Sequence, residues 1–295
     1  MKRTSDLTVV DHIPELPIRA DDAHKGMVGR VAVIGGRLDA IGMVGAVALV
    51  ANAALRSGAG LVQIVTSKEA QLAVAPLALC ATTRAWPNGE GASLSKTLVE
   101  FAADVVAIGP GLGPNVSDDH LRDLLANFGG PIVIDADGLN RIAALRGDPA
   151  RAFRHPEQVI LTPHPGEMSR LVAGWSIDAG DSDRTQLAVA VSRATGAIVV
   201  LKGFGTVVTD GQRVFVNQTG NSGMATGGAG DVLTGVIAAL CGQHMSPFDA
   251  AVLGVYVHGL AGDMAAEEIG RMPMIATDII DYLPDALSEL EEENG

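Results

Sequence analysis

Asn221-Ser-Gly-Met-Ala-Thr-Gly-Gly-Ala-Gly-Asp231, followed by the apolar run Val232–Leu240, decides how the rest of the chain is read. A run of small residues from Ala225 to Gly230 leads into a carboxylate, and a helical pattern begins after it. Glycines let backbone N–H groups crowd toward one point. The start of a helix adds unpaired N–H groups and the positive end of its dipole. Gly228, Ala229 and Gly230 therefore form a candidate phosphate loop. Asp231 stands where it can meet a hydroxyl that attacks phosphorus. The plainer alternative is a turn that only tightens a strand-to-helix connection.

Working outward, short apolar runs alternate with helical stretches. Arg30–Ile34, Leu61–Thr66, Val105–Ile108, Ile132–Ile134, Val159–Leu161 and Ile198–Leu201 read as strands. They are continuously apolar, as strands buried on both faces of a parallel sheet are. Helices are expected at Val44–Arg56, Leu121–Phe128, Gly138–Leu145, Gly166–Val172 and Arg184–Thr195, and after the glycine loop at Val232–Cys241, Pro247–Glu268 and Ile275–Leu290. Thr206–Thr209 and Arg213–Val216 read as a hairpin at the sheet edge. No linker or repeat interrupts the pattern, so residues 1–295 read as one α/β domain. The acidic stretch Glu289–Glu293 reads as solvated, and residues 289–295 as a flexible tail.

Hydrophobic residues make up 47% of the chain and aromatics only 3%, so the core must be aliphatic. A net charge of −13 argues against a nucleic-acid surface. It does not exclude nucleotides, because a few local donors outweigh a distant field that salt screens. Cys80 and Cys241 lie in apolar surroundings, without metal-ligand spacing, and read as buried free thiols. With no signal-like or membrane-length apolar run, a cytoplasmic protein is expected.

The familiar nucleotide fingerprints are absent: Gly35-Gly36 after the first strand lacks dinucleotide-loop spacing, and no P-loop occurs. Instead, four strand ends carry distinctive turns. These are Gly109-Pro-Gly-Leu-Gly113, Asp135-Ala-Asp-Gly-Leu-Asn140, Thr162-Pro-His-Pro-Gly-Glu167 and Lys202-Gly-Phe-Gly-Thr206. Ligands of parallel sheets bind outside the carboxyl ends of the strands, so the four turns define one candidate cleft. Glu167 falls in the first turn of a helix, where an acid complements the dipole. Its functional reading is a water-mediated Mg²⁺ ligand. His164 is either a loop histidine or a ligand contact. Lys202 either snorkels to solvent or serves the cleft.

With these turns in place the chain resembles the NAD(P)H-hydrate dehydratases, a branch of the ribokinase-like superfamily. The resemblance rests on Lys25–Gly36, Gly45-Ala46, Ala54–Val62 and the four turns, together with Gly223–Asp231. It implies a three-layer α/β/α fold with a mostly parallel central sheet. It implies dehydration of (6S)-NADHX or NADPHX, the hydrates of NADH and NADPH, by phosphorylation of the hydroxyl and loss of phosphate. Bacterial members use ADP, whereas animal and plant members use ATP. Carried over by position, Ala46, Gly113 and His164 contact the hydrated cofactor, and Asp231 meets the reactive hydroxyl. Lys202, Gly203, Phe204, Gly205, Thr206 and Gly230 surround the adenosine phosphate. Glu167 matches the acid of a Mg²⁺-associated pattern. The resemblance further implies a homotetramer and, because no epimerase domain fits in the chain, a separate epimerase. Arg37–Gly42 departs from the Ser-and-aromatic sequence common there. The competing readings are a kinase of a small alcohol such as hydroxyethylthiazole, and a nucleotide-sensing protein without catalysis.

Overall fold

The computed structural model describes residues 7–38, 41–87, 93–113, 117–145, 147–178 and 183–294. A short strand β1 (Thr8–Val9) precedes β2 (Arg30–Ile34), β3 (Leu61–Thr66), β4 (Thr82–Ala85), β5 (Val105–Ile108), β6 (Ile132–Ile134), β7 (Val159–Leu161), β8 (Ile198–Leu201), β9 (Val207–Thr209) and β10 (Arg213–Val216). Interleaved with them are α1 (Val44–Arg56), α2 (Lys68–Val74), α3 (Leu94–Phe101), α4 (Asp118–Asn127), α5 (Ala136–Ala144), α6 (Pro165–Gly174) and α7 (Arg184–Thr195). Three helices close the chain: α8 (Ala229–Gly242), α9 (Pro247–Ile269) and α10 (Ala276–Asn294). The strands form one sheet in the order β1-β10-β9-β8-β7-β6-β5-β2-β3-β4. Neighbours are parallel except that β9 runs against both β8 and β10.

The continuous apolar strands serve two cores by alternation. Val31, Val33, Val105, Ala107, Val133 and Ile160 face α1, α8, α9 and α10. Their neighbours Ala32, Ile34, Val106, Ile108, Ile134 and Leu161 face α3 to α7. This is the ribokinase-like α/β architecture with helices on both faces of the sheet. The chain turns back at β2, which lies between β3 and β5. That switch point opens a crevice flanked by the Gly35-Gly36 and Gly109–Gly113 turns.

Several expectations need correction. The β9–β10 hairpin is not the outermost element, because β1 pairs in parallel with β10 beyond it. β4, α2 and α3 were not foreseen; β4 reads Thr-Thr-Arg-Ala, half-exposed beside one neighbour, and carries no apolar signature. Cys80 is exposed, and only Cys241 is buried. Residues 289–294 continue helix α10, and Leu290 is buried in the core, so the acidic stretch there is helical. Side chains anchor that end because apolar residues recur at helical spacing among the acids. Two residues of the atypical Arg37–Gly42 loop, 39 and 40, lie outside the described residues.

Helix α8 is buried along nearly its whole length. Its approach to α1 is so close that a Cβ on Gly235 would stand 2.3 Å from the Val50 carbonyl oxygen. Gly235→Ala must therefore push the two helices apart, against rigid backbone. The expected loss is about 1–3 kcal/mol of stability, measured by denaturant unfolding, despite the better helix propensity of alanine.

Candidate active site

Helix α8 begins abruptly. Gly228 adopts φ +94°, a left-handed conformation suited to glycine, and no side chain caps the helix. Its first N–H groups and positive dipole end are therefore available to an anion. Helix formation starts at Ala229, so Asp231 lies inside the first turn rather than just before the helix. Gly230, unlike Gly228, has no positive φ; it is needed for space. A Cβ there would come within 3.0 Å of Lys202 Nζ.

Lys202 leaves β8 and turns inward. Its Nζ donates to Asp135 Oδ1 at 2.5 Å. The second Asp135 oxygen accepts from the buried Thr234 hydroxyl on α8 at 2.9 Å. Asp135, at the end of β6, is only 1% exposed. Two residues on, Asp137 Oδ2 accepts the Gly113 N–H at 2.9 Å and ties the β5 turn to this cluster. Between the two acids Ala136 takes φ 48°, unusual for a residue with a side chain.

The histidine-proline turn is a capping box. His164 Nδ1 accepts the Gly166 and Glu167 N–H groups, and Glu167 Oε2 accepts the His164 N–H at 2.8 Å. Because Nδ1 accepts, neutral His164 carries its proton on Nε2, which lies 3.4 Å from Glu167 Oε1. Glu167 thus has a structural task, and its side chain is buried. Lys202 N–H donates to the Pro163 carbonyl, joining this turn to the next.

Packing so many acids around one ammonium shifts their proton affinities. Burial, then the charge of Asp135, raises the Asp231 carboxyl to about 7, against the opposing charge of Lys202 and with further help from Glu167 and Asp137. Glu167 is also raised, first by burial, although Lys202 and the His164 N–H oppose this. Burial works against the Lys202 charge, but Asp135 and Glu167, with Asp231, hold its pKa above the usual lysine value. On α9, burial drives His258 down to about 4, so it is neutral and its Nε2–H donates to the Ala229 carbonyl at 2.9 Å.

The structure therefore gathers Lys202, Glu167, Gly230 and Asp231 around Asp135, with Gly113 joined through Asp137. Ala46 is buried in the first turn of α1, beside Val47, which packs against Gly36. Gly203 and Thr206 close the β8 turn on each other, and Arg184 donates to the Leu201 and Lys202 carbonyls behind it. Phe204 at the tip of that turn is fully exposed. Sequence reasoning gave no role to Asp135, Asp137, Thr234 or His258. The available signal was a hydroxyl and an imidazole set in apolar helical runs. Among the described residues no three His, Cys, Asp or Glu side chains form a ready metal cage. Glu167, with one oxygen already accepting from backbone, suits Mg²⁺ only through water. Cavities of about 670 Å³ near Trp175 and about 510 Å³ near Arg170 include none of these residues. No described helix is long and apolar enough to cross a membrane.

Comparison with known proteins shows the family. The sequence model of the family described as NAD(P)H-hydrate dehydratase matches residues 31–285. A bifunctional NAD(P)H-hydrate repair enzyme of Moorella thermoacetica is 43% identical over 95% of the chain, which spans only 53% of that relative. The chain thus spans about half the length of the bifunctional relatives. An ADP-dependent (S)-NAD(P)H-hydrate dehydratase of Neisseria meningitidis serogroup B is 36% identical, over 85% of this chain and 82% of that protein. Among solved structures, the ADP/ATP-dependent NAD(P)H-hydrate dehydratase of Bacillus subtilis, co-crystallised with ATP and Mg²⁺, superposes with a TM-score of 0.75 at 30% identity, covering 94% of this chain and 95% of that one. A hydroxyethylthiazole kinase from Pyrococcus horikoshii reaches 0.56 at 18% identity, covering 88% of each chain, and shares the fold alone.

The raised Asp231 pKa has a cost in stability. The folded protein keeps a proton between the ordinary 3.8 and about 7 that the unfolded chain has released. Stability from this group is therefore present at low pH and lost as pH rises through about 7. Asp231→Asn is expected to stabilise the unliganded protein, with a gain larger by about 2–3 kcal/mol near pH 8 than near pH 5. Chemical denaturation at the two pH values checks this; equal offsets would contradict the shift.

Proposed function

The chain belongs to the NAD(P)H-hydrate dehydratase family, and we propose that it converts (6S)-NAD(P)H hydrate to NAD(P)H in an ADP-dependent reaction. The observation that carries this reading is Asp231, a carboxylate titrating near neutrality at the uncapped start of a buried helix, beside Gly230 and Lys202. In this reading the donor phosphates lie against the α8 N–H groups and the Lys202–Thr206 turn. The hydrated nicotinamide lies toward Ala46, Gly113 and His164.

Asp231 takes the proton of the C6 hydroxyl as its oxygen bonds to the β-phosphorus of ADP, and the bond from phosphorus to the bridging oxygen breaks to give AMP. The C6–O bond then breaks with the electron pair going to phosphate. The C5 proton passes to the departing phosphate, which leaves as hydrogen phosphate, and the C5–H electron pair completes the C5=C6 double bond. The products balance as reduced dinucleotide, AMP and phosphate. Hydroxide is a poor leaving group at neutral pH and phosphate a good one, so a phosphoryl-transfer site can serve an elimination. Mg²⁺, when bound, supplies counter-charge to the phosphates; Glu167 fits it through water. The remaining site negative charge, from Asp135, Asp137 and Glu167, is consistent with a need for such a cation.

We further propose a cytoplasmic homotetramer that works alongside an epimerase activity supplied from outside residues 1–295. The bifunctional names of the longer relatives support that pairing.

Three measurements test the reading. With hydrate, Mg²⁺ and ADP, the reduced-nicotinamide absorbance is expected to return with equimolar phosphate release, and more slowly with ATP. Release of a stable phosphate ester of a small alcohol instead would assign a kinase. Asp231→Asn is expected to lower kcat by about 10²–10⁴-fold while ADP still binds, because the glycine amides remain. Glu167→Gln is expected to raise the Mg²⁺ concentration for half-maximal rate. An unchanged requirement would leave Glu167 with its capping role alone.

A further inference from the structure

We propose that Asp135 and Thr234 are positioning residues that hold the Lys202 ammonium at the donor phosphate, beside Gly230. The proposal rests on the reading of the α8 loop as the donor site. It gives a task to two residues that neither the resemblance nor the proposed chemistry uses.

The geometry is specific. Asp135 spends one oxygen on Lys202 at 2.5 Å and the other on the Thr234 hydroxyl at 2.9 Å. Thr234 lies one turn beyond Gly230 on α8. A single carboxylate therefore fixes the lysine relative to the helix whose first turn forms the phosphate loop. A lysine at a strand end ordinarily extends to water. This one is 17% exposed, and its Nζ sits 3.0 Å from where a Gly230 Cβ would be. Ala136, next to Asp135, takes a positive φ of 48°, strained for a residue with a side chain, and Gly109, which has none, lets the Asp135 carbonyl approach closely. Such strain persists only where surrounding structure enforces it.

The surrounding charges explain why a tether is needed. Lys202 faces Asp135 from α5, Glu167 from α6 and Asp231 from α8. Asp135 is the acid within hydrogen-bond distance of the ammonium, so without it the link from Lys202 through the carboxylate to Thr234 on α8 is lost. The three acids also keep the amine above its ordinary pKa, so it stays charged.

The sign of the effect separates positioning from the general field. Removing a negative charge from the site should by itself tighten binding of a nucleoside diphosphate. Positioning predicts the reverse. ADP binding in the presence of Mg²⁺ is measured by calorimetry on the full chain and on Asp135→Asn, Lys202→Met and the double variant. Asp135→Asn is expected to weaken ADP by about 3- to 30-fold, and to add no further loss in the Lys202→Met background. Thr234→Val is expected to weaken ADP about threefold, with Thr234→Ser close to wild type. Tighter or unchanged affinity in Asp135→Asn, additive losses in the double variant, or reduced stoichiometry at unchanged affinity would each overturn the proposal. Should Asp135→Asn fail to fold, the Thr234 pair decides: equal affinity for Val and Ser rejects positioning, and the expected difference supports it. A wild-type protein that shows this cycle yet forms no reduced dinucleotide supports the arrangement and rejects only the dehydration.

Discussion

A helix that is apolar on nearly every side must be enclosed, and enclosure fixes where it points. Helix α8 is that element. Its residues from Val232 to Gly242 are buried between the sheet and the helices α1, α9 and α10. Glycines set the distances: Gly235 against the Val50 backbone, and Gly254 of α9 against Ile237. Rigid backbone contacts of this kind leave little freedom to slide or tilt. The start of α8 is thereby held over the carboxyl ends of the central strands. His258 adds a hydrogen bond from α9 to the Ala229 carbonyl, just where the helix emerges. The anion site is thus a consequence of how a hydrophobic cylinder packs.

What packing sets up, electrostatics makes reactive. Three acids, Asp135, Glu167 and Asp231, come from three helices to face one lysine, and Asp137 adds its charge beside Asp231. Two of these four are held by hydrogen bonds that suit a charged carboxylate: Asp135 by an ammonium and a hydroxyl, Asp137 by a backbone amide. Asp231 has burial and like-charged neighbours instead, and its proton affinity rises accordingly. Environments that separate the behaviour of neighbouring acids divide the work between structure and proton transfer. The same arrangement opposes stability, as functional sites often do.

Much of this was legible in the sequence. Six parallel strands could be read with their boundaries because runs buried on both faces are apolar almost throughout, with Gln63 the one interior exception. The start of α8 was legible because the glycine run ends where the apolar helical pattern begins. The parts that escaped notice lack such a signature. Asp135 was visible as part of a polar turn, but its partners lie 67 and 99 residues away, beyond any local pattern. Thr234 and His258 look like minor interruptions of apolar helices until the fold turns them toward the loop. Pro-His-Pro-Gly-Glu carried a double meaning. Its histidine and glutamate satisfy a helix start by themselves, so spacing alone could not distinguish cap from ligand. Cys80 misled because apolar neighbours in sequence need not be neighbours in space. The acidic end misled because the helix expected to stop at Leu290 continues to Asn294 through a run of acids that carries no apolar signal.

The location of the labile carboxyl also bears on why a phosphoryl-transfer fold can complete an elimination. In the proposed reaction a phosphate brings negative charge into a site already rich in acids. If the acceptor of the hydroxyl proton stayed ionised, transfer would drive two anions together. Asp231 becomes neutral in the same step, so charge arriving on the ester is matched by charge removed from the carboxylate. The ester then sits against the α8 N–H groups and Lys202, which stabilise phosphate as it departs. An acid with an ordinary pKa would be a weaker base for the hydroxyl. One far above neutrality would already hold a proton when substrate arrived. A value near 7 serves both demands, and it follows from burial beside Asp135 without any added group. In the proposed reaction the lysine that moderates Asp231 is the same one that meets the donor. A change in its placement would thus alter proton transfer and phosphate binding together, which ties the two halves of the reaction to one buried ion pair.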